Sequence, residues 1–346
     1  MTTSNTDAAD LASQAFGGII AEDVLNDVFD ISRIPLPFLD RISSQRSTNQ
    51  YKSWLKSKLP QPNVDNAVVD GSDASAPVQN LATRQGNRHQ IMEYTIAVSQ
   101  RARDVDTIGY ADELARQIME YNQAIRRDLN ATLLQPQASV EDDGNTTPGR
   151  LGGFPSWLTT STSRGTSGAD GGFNYTTGVV DAPTPGDKRG LTETLVRDIA
   201  DSVYKQGGNP TIMHSGPDVI RGFSLYLFDE SARIATLRRD ANEMAPAQAI
   251  GSVNVFLTDH GVTLEMVSDR LQQPYTANDT GDVFNVFIYD PEYVSVSYLH
   301  SPMVMPIGKP GLSDIRQISL DATLVVQNEE AHGLIADIDP TIPVVT

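Results

Sequence analysis

Gln90-Ile-Met-Glu-Tyr-Thr-Ile-Ala-Val-Ser99 sets Met92, Tyr94, Ile96 and Val98 alternately with Glu93, Thr95, Ala97 and Ser99. A period of two means one face buried and one face wet, so the segment reads as a half-buried strand. Upstream, Tyr51–Leu59 reads as a second strand, charged at Lys52, Lys56 and Lys58. Between them Pro60–His89 has almost no apolar pattern and is rich in Asn, Asp, Ser, Gln and Pro. Such an excursion is uncommon inside a compact domain, and alone it buries too little to offset its ordering entropy. Either it is disordered, or its ends form a long hairpin that finds its stabilising surface on another molecule.

Working toward the N-terminus, Arg41–Lys58 carries Arg41, Arg46, Lys52, Lys56 and Lys58 and no acid. Residues 1–30 reverse the sign, with Asp7, Asp10, Glu22, Asp23, Asp27 and Asp30 and no base. Glu22–Ile31 reads as a short helix, stopped by Pro35 and Pro37. An acidic arm beside a basic segment invites pairing between copies, with two solvated faces as the plainer alternative.

Toward the C-terminus, Leu114, Ile118, Tyr121, Ile125, Leu129 and Leu133 fall on one helical face. The helix expected over Tyr110–Leu134 would run on the order of 37 Å. Gln137–Gly190 turns Gly-, Ser-, Thr-, Asp- and Pro-rich and reads as an insertion or surface loop pinned by Phe154 and Trp157. Leu191, Leu195, Ile199 and Val203 mark another helix, ended by Gly207-Gly208. A short strand near Thr211–Met213 and a helix over Asp218–Phe228 follow. In the last third, Val253, Val255 and Leu257 face Val262, Leu264 and Met266 across Asp259-His260-Gly261, a hairpin. Val283–Tyr289 and Val294–Leu299 flank Asp290-Pro291, and Pro302, Pro306 and Pro310 should break the chain before a long strand at Ile315–Gln327. There Ile318, Leu320, Leu324 and Val326 share a face.

The 346 residues contain no Cys, which removes disulfides, thiolate metal sites and cysteine nucleophiles. A net charge of −18 argues against a general nucleic-acid binder, which needs a basic surface. No apolar run reaches the roughly 20 residues that span a bilayer, and no signal peptide is read at Met1–Asp10, so a cytoplasmic folding site is expected. The Asn-x-Thr triplets at Asn130, Asn145, Asn174 and Asn278 are then chance. His89, His214, His260, His300 and His332 show no metal-ligand spacing and read as surface or loop residues. Asp142-Asp143-Gly144-Asn145 has Gly153 where a calcium loop needs its bidentate acid, so it reads as a turn. With no phosphate loop, dinucleotide fingerprint or nucleophile elbow, no catalytic, cofactor-binding or metal residue is expected, and the chain is not read as an enzyme.

In this order the elements resemble the major capsid proteins of tailed bacteriophages. The local runs Gly153-Phe-Pro-Ser-Trp157, Gln206-Gly-Gly-Asn-Pro-Thr211, Thr258-Asp-His-Gly261 and Asn328-Glu-Glu-Ala-His-Gly333 are similar to those of a phage capsid subgroup. The resemblance implies an α+β chain with the HK97-type capsid fold: an N-terminal arm, an extended E-loop hairpin, a P-domain with a long spine helix, and an A-domain. It places the arm at residues 1–47, the E-loop at 48–100 and the P-domain spine at 101–136. The insertion takes 137–190, A-domain material mainly 191–290, and returning P-domain strands 291–346. It implies self-assembly as hexamers and pentamers into an icosahedral virion shell enclosing double-stranded DNA, bound without sequence specificity and without a membrane. Scaffolding protein, portal and a cement protein are the partners it implies; with no scaffolding segment read before the arm, the scaffold is expected as a separate protein or as one already removed. Assembly is expected in the host bacterial cytoplasm. The alternatives are an encapsulin-like nanocompartment shell and a β-rich hydrolase or glycan-binding protein.

Overall fold

A computed structural model describes residues 35–74, 78–105, 112–235, 254–308 and 311–344, side chains of 228–235 excepted. The expected arm up to residue 34, its short helix at Glu22–Ile31, and Tyr110, Val253 and Pro310 lie outside the described residues.

Two sheets organise the chain. The first has the order β1 (Ser43–Arg46), β13 (Val294–Ile307), β14 (Ser313–Val326), β4 (Gln90–Ser99). Here β1 runs parallel to β13 and the other pairs are antiparallel. The seven-stranded second sheet runs β5 (Thr162–Ser163), β15 (Gly333–Ile338), β12 (Asp282–Tyr289), β8 (Ile212–Ser215), β10 (Thr263–Ser268), β9 (Val255–Leu257), with β11 (Tyr275–Thr276) on β12. Outside both lie two ribbons, β2 (Tyr51–Lys56) with β3 (Thr83–Arg88), and β6 (Gly172–Asn174) with β7 (Val179–Asp181).

The alternating strand is found where its pattern put it: β4 buries Ile96 and Val98 and turns Glu93, Thr95 and Ala97 outward. Its partner differs from expectation. Instead of returning the excursion to Tyr51–Leu59, β4 pairs along its length with β14, and the return strand is β3 from inside the polar stretch. The sequence Thr-Arg-Gln-Gly-Asn-Arg lacks apolar alternation because its inward groups are held by hydrogen bonds rather than by hydrophobic burial.

Helix α1 (Gln100–Asp104) leads to the long α2 (Glu113–Leu133), shorter than expected by its first turn. Asp112 caps α2 by accepting from the Leu114 N–H at 3.0 Å. Leu114, Ile125, Leu129 and Leu133 are buried as read. Tyr121, at the rim of that stripe, rests its ring 5.1 Å from Tyr94 of β4.

Residues 137–190, expected as an insertion or surface loop, are not peripheral at their centre. Leu151, Phe154, Trp157 and Leu158 are fully buried, and α3 (Phe154–Trp157) lies in the main core. Phe154 packs 5.5 Å from Phe38 and 5.2 Å from Phe287. Composition misled here because Gly and Ser flank a few large side chains that carry the burial, each contributing about 1.5–3 kcal/mol.

The second sheet has a core on both faces. Along β12, Phe287 and Tyr289 join the core under α2 and α3. Val286 and Ile288 join the other core, with α4 (Glu193–Gln206) and α5 (Pro217–Ala235). That explains the nearly continuous apolar run of β12. α4 is capped by Thr192 and ends with Gly207 at φ 97°, a left-handed position that suits glycine.

Two further expectations change. In the β9–β10 hairpin the inward residue of β9 is Phe256, while Val255 and Leu257 face outward. The prolines do not end β13, which runs through Pro302 and Pro306 to Ile307. β1 covers β13 only at Ser295–Tyr298, so beyond it the prolines sit on an open edge with bulges, where a missing N–H costs no ladder bond.

Candidate assembly surfaces

The β2–β3 ribbon has a fixed root. The Asn87 side chain accepts from the Gly152 N–H at 2.8 Å and donates to the carbonyls of Gly152 (3.1 Å) and Leu324 (2.9 Å). Gln85 donates to the Tyr175 hydroxyl at 2.9 Å, and the Tyr51 hydroxyl to the Gly178 carbonyl at 2.9 Å. Trp54 packs 5.2 Å from Trp157, which stacks on Phe173 at 5.8 Å. Gly86 is required: a Cβ there would lie 2.5 Å from the Tyr51 ring. Arg88 caps the same ring at 4.8 Å and pairs with Glu141 at 2.9 Å.

At the outer end of the stem Lys56 lies 3.5 Å from Glu329 and 3.2 Å from Glu330, and Lys58 lies 2.5 Å from Glu330. Burial pushes the Glu330 carboxyl up, but Lys58 and Lys56 hold it below its ordinary range. The ribbon is therefore aimed by the body of its own subunit. Past this point the chain is bare. Leu59, Val64, Val68, Val69, Val78 and Leu81 are all exposed, Val64 to 93%. Among the described residues these apolar groups cover little of their own chain.

The basic segment is only partly committed. Arg41 makes a two-pronged pair with Glu265 at 2.8 and 2.7 Å, lowering that carboxyl's pKa. Among the described residues Arg46, Lys52 and Arg84 face no carboxylate within salt-bridge distance.

The histidines depart from expectation, since His89, His214 and His332 are buried. His89 Nδ1 lies 3.0 Å from Asp321 Oδ1, and Nε2 lies 3.0 Å from Ser47 Oγ. This is the order of a charge-relay triad, but the Ser47 hydroxyl is 2% exposed and donates to the Asn49 carbonyl at 3.0 Å. With its proton given to Asn49, Ser47 serves a chain of bonds that ties the exit of β1 to β14. An open groove of about 370 Å³ adjoins it, lined by Arg88, His89, Glu141 and Asp321 among others. His214 Nε2 lies 3.3 Å from Asp269 Oδ2, both side chains fully buried. Asn130 of α2 donates to Asp269 at 2.9 Å and accepts from the Leu39 N–H at 3.0 Å. Burial raises the Asp269 pKa, yet His214, the Leu271 N–H and Asn130 hold it below the ordinary value. The effect is to fasten the long helix to the second sheet.

His332 is enclosed against Phe154 at 5.3 Å, and burial lowers its pKa to about 3. His260 is stacked on Tyr204 at 4.4 Å and bound to Asp201 at 2.7 Å, whereas His300 is exposed. In the 142–145 turn the Thr147, Asn145 and Thr146 N–H groups hold the Asp143 carboxyl well below its ordinary range. Among the described residues no three His, Asp or Glu side chains converge as a metal set, and no helix is long and apolar enough to cross a membrane.

A fixed root with an uncovered reach is the geometry of a protein that completes itself on neighbours. The sequence profile of the SU10 major capsid protein family matches residues 1–339. The chain belongs to that family. This capsid protein is a structural protein of the virion shell, which it forms with further copies of itself. Its fold is the HK97 capsid fold. It is similar over 98% of its length to all of a Mycobacterium phage Adephagia chain, at 12% identity and a TM-score of 0.55. The capsid of a native GTA particle matches 95% of this chain and 99% of its own, at 12% identity and 0.56. The holo-SrpI encapsulin complex from Synechococcus elongatus PCC 7942 matches 99% of both chains, at 12% identity and 0.55. At such identities the likeness concerns the fold alone. No curated protein has a matching sequence.

The root residues of the ribbon, Tyr51, Trp54, Gln85 and Asn87, escape a periodicity search. Their one sequence signal is a hydrogen-bonding run, Gln85-Gly-Asn-Arg-His89, just ahead of a strongly alternating strand.

Proposed function

We propose that the capsid protein assembles as hexamers and pentamers into an icosahedral head enclosing double-stranded DNA. In this reading residues 1–47 are the arm, 48–100 the E-loop and 101–136 the P-domain with its spine. Residues 137–190 are a segment with a core-forming centre, 191–290 mainly the A-domain, and 291–346 the returning P-domain strands. The observation that carries it is the β2–β3 ribbon, anchored through Asn87 and Trp54 and exposing six large apolar side chains beyond Leu55. Assembly takes place in the host bacterial cytoplasm with a scaffolding protein, a portal and a cement protein as partners. DNA is contained without sequence readout, consistent with a net charge of −18.

Electron microscopy of the purified chain, alone and with scaffold, tests this directly. Closed shells are expected, and an isolated small oligomer under both conditions overturns the reading. Shells that carry a protein cargo and never DNA would favour a nanocompartment.

A further inference from the structure

The ribbon is electrically divided along its length. Residues 59–82 hold Asp65, Asp70 and Asp73 and no base, whereas 41–58 and 83–92 hold seven Lys and Arg and no acid. The three aspartates are exposed and, among the described residues, have no cationic partner. On the stem, Arg41, Lys56, Lys58 and Arg88 are engaged with carboxylates of their own chain. Arg46 and Arg84 are exposed and Lys52 is half-buried, with no carboxylate to face among the described residues. Arg84 sits opposite Leu55, which is 70% exposed, and donates to Ser53 at 3.0 Å. Lys52 donates to the Arg46 carbonyl at 3.3 Å, placing those two at the foot of the stem.

We infer that the acidic, apolar tip of one copy's ribbon seats on the basic stem face around Leu55 and Arg84 of the next copy, with Arg46 and Lys52 beside it. The inference rests on the capsid reading above and names the receiving surface within it. From residue 57 to the turn at Gly71 the chain can extend on the order of 45 Å. Among the described residues the tip aspartates pair with no cation of their own chain, so the attraction between tip and stem is assigned between molecules. Tip-to-tip contact would set like charges together and is disfavoured. Two different patches, one given and one received, allow a head-to-tail interface, the kind that closes a ring when the rotation allows. Mixed apolar and charged chemistry on both sides gives burial at the centre and register at the rim.

The test uses the full chain and charge swaps at exposed positions. Asp70→Lys with Asp73→Lys, and separately Arg46→Glu with Arg84→Glu, should each lower shell yield by at least about tenfold, with unchanged melting of the free subunit. All four together should recover yield to within about threefold of the parent. A four-fold variant no better than the weaker pair overturns the pairing. Replacing 60–80 by a Gly-Ser linker separates the two levels. If shells still form, the capsid reading of the ribbon fails. If shells are lost and the swap does not rescue, only the tip-to-stem contact fails. If deletion of residues 1–34 abolishes the effect of Arg46→Glu with Arg84→Glu, the acidic arm is the occupant, and the inference is wrong.

Discussion

At the residue scale, two buried polar side chains do different work. Asn87 satisfies backbone groups of Gly152 and Leu324 that water cannot reach. Asn87→Ala should therefore cost about 2–3 kcal/mol in denaturant unfolding, since each orphaned buried group costs about 1–3 kcal/mol. Loss below about 0.5 kcal/mol would mean that the ribbon root is not held there. His332 carries the pH dependence. Its folded pKa of about 3 lies below the ordinary 6.5, so the unfolded chain binds the extra proton between those values. Stability is thus full above pH 6.5 and lost as the pH falls toward 3, by about 1.4 kcal/mol per unit. Asp290, whose N–H donates to His332 Nδ1 at 3.4 Å, has a carboxyl raised by burial and acts in the opposite sense. Comparing the parent with His332→Gln cancels that contribution. Between pH 6.5 and 5 the parent should lose about 1.6 kcal/mol more than the variant. Parallel curves would show that His332 is not buried neutral.

At the scale of elements, legibility followed the source of stabilisation. β4, β14 and α2 bury alternate or helically spaced apolar groups, and their patterns were readable to within a few residues at most ends. β3 was not readable, because Gln85 and Asn87 bury through hydrogen bonds and leave no apolar period. Pairing was harder than existence: a strand's own sequence does not name its partner, so β4 went to β14 instead of β2. β9 shows a further limit, since Val255 and Leu257 alternate correctly but face outward while Phe256 takes the core. The helix ends are simpler. Gly207 at φ 97° has open space around the missing Cβ, so Gly207→Ala meets no clash and pays backbone strain alone. A loss of about 1 kcal/mol is expected, measured by thermal melting. The Leu59–Leu81 reach, having little of its own chain to rest on, should be cut rapidly by protease in free subunits and protected in shells. Equal rates in the two states would remove its intermolecular role.

At the scale of the whole molecule, charge opposes the contacts that build the shell. Each copy carries −18, and at about 0.01 M salt the screening length is about 30 Å, so approaching copies repel as whole bodies. Near 0.1 M it falls to about 10 Å, leaving only charges at the contact to interact. The tip aspartates and the stem arginines then act locally and in the favourable sense. By about 1 M, with screening at about 3 Å, that local attraction is also weakened. The initial assembly rate at fixed protein concentration should therefore rise and then fall with salt, with its maximum near 0.1 M, as followed by light scattering. Asp65→Asn, Asp70→Asn and Asp73→Asn together should slow assembly at the maximum and flatten the falling limb, because the attraction being screened is gone. They should leave the rising limb in place, since −15 still repels. A rate that only falls from the lowest salt upward would show that contact-level ion pairs outweigh the net charge throughout, and that the acidity of the chain does not restrain its assembly.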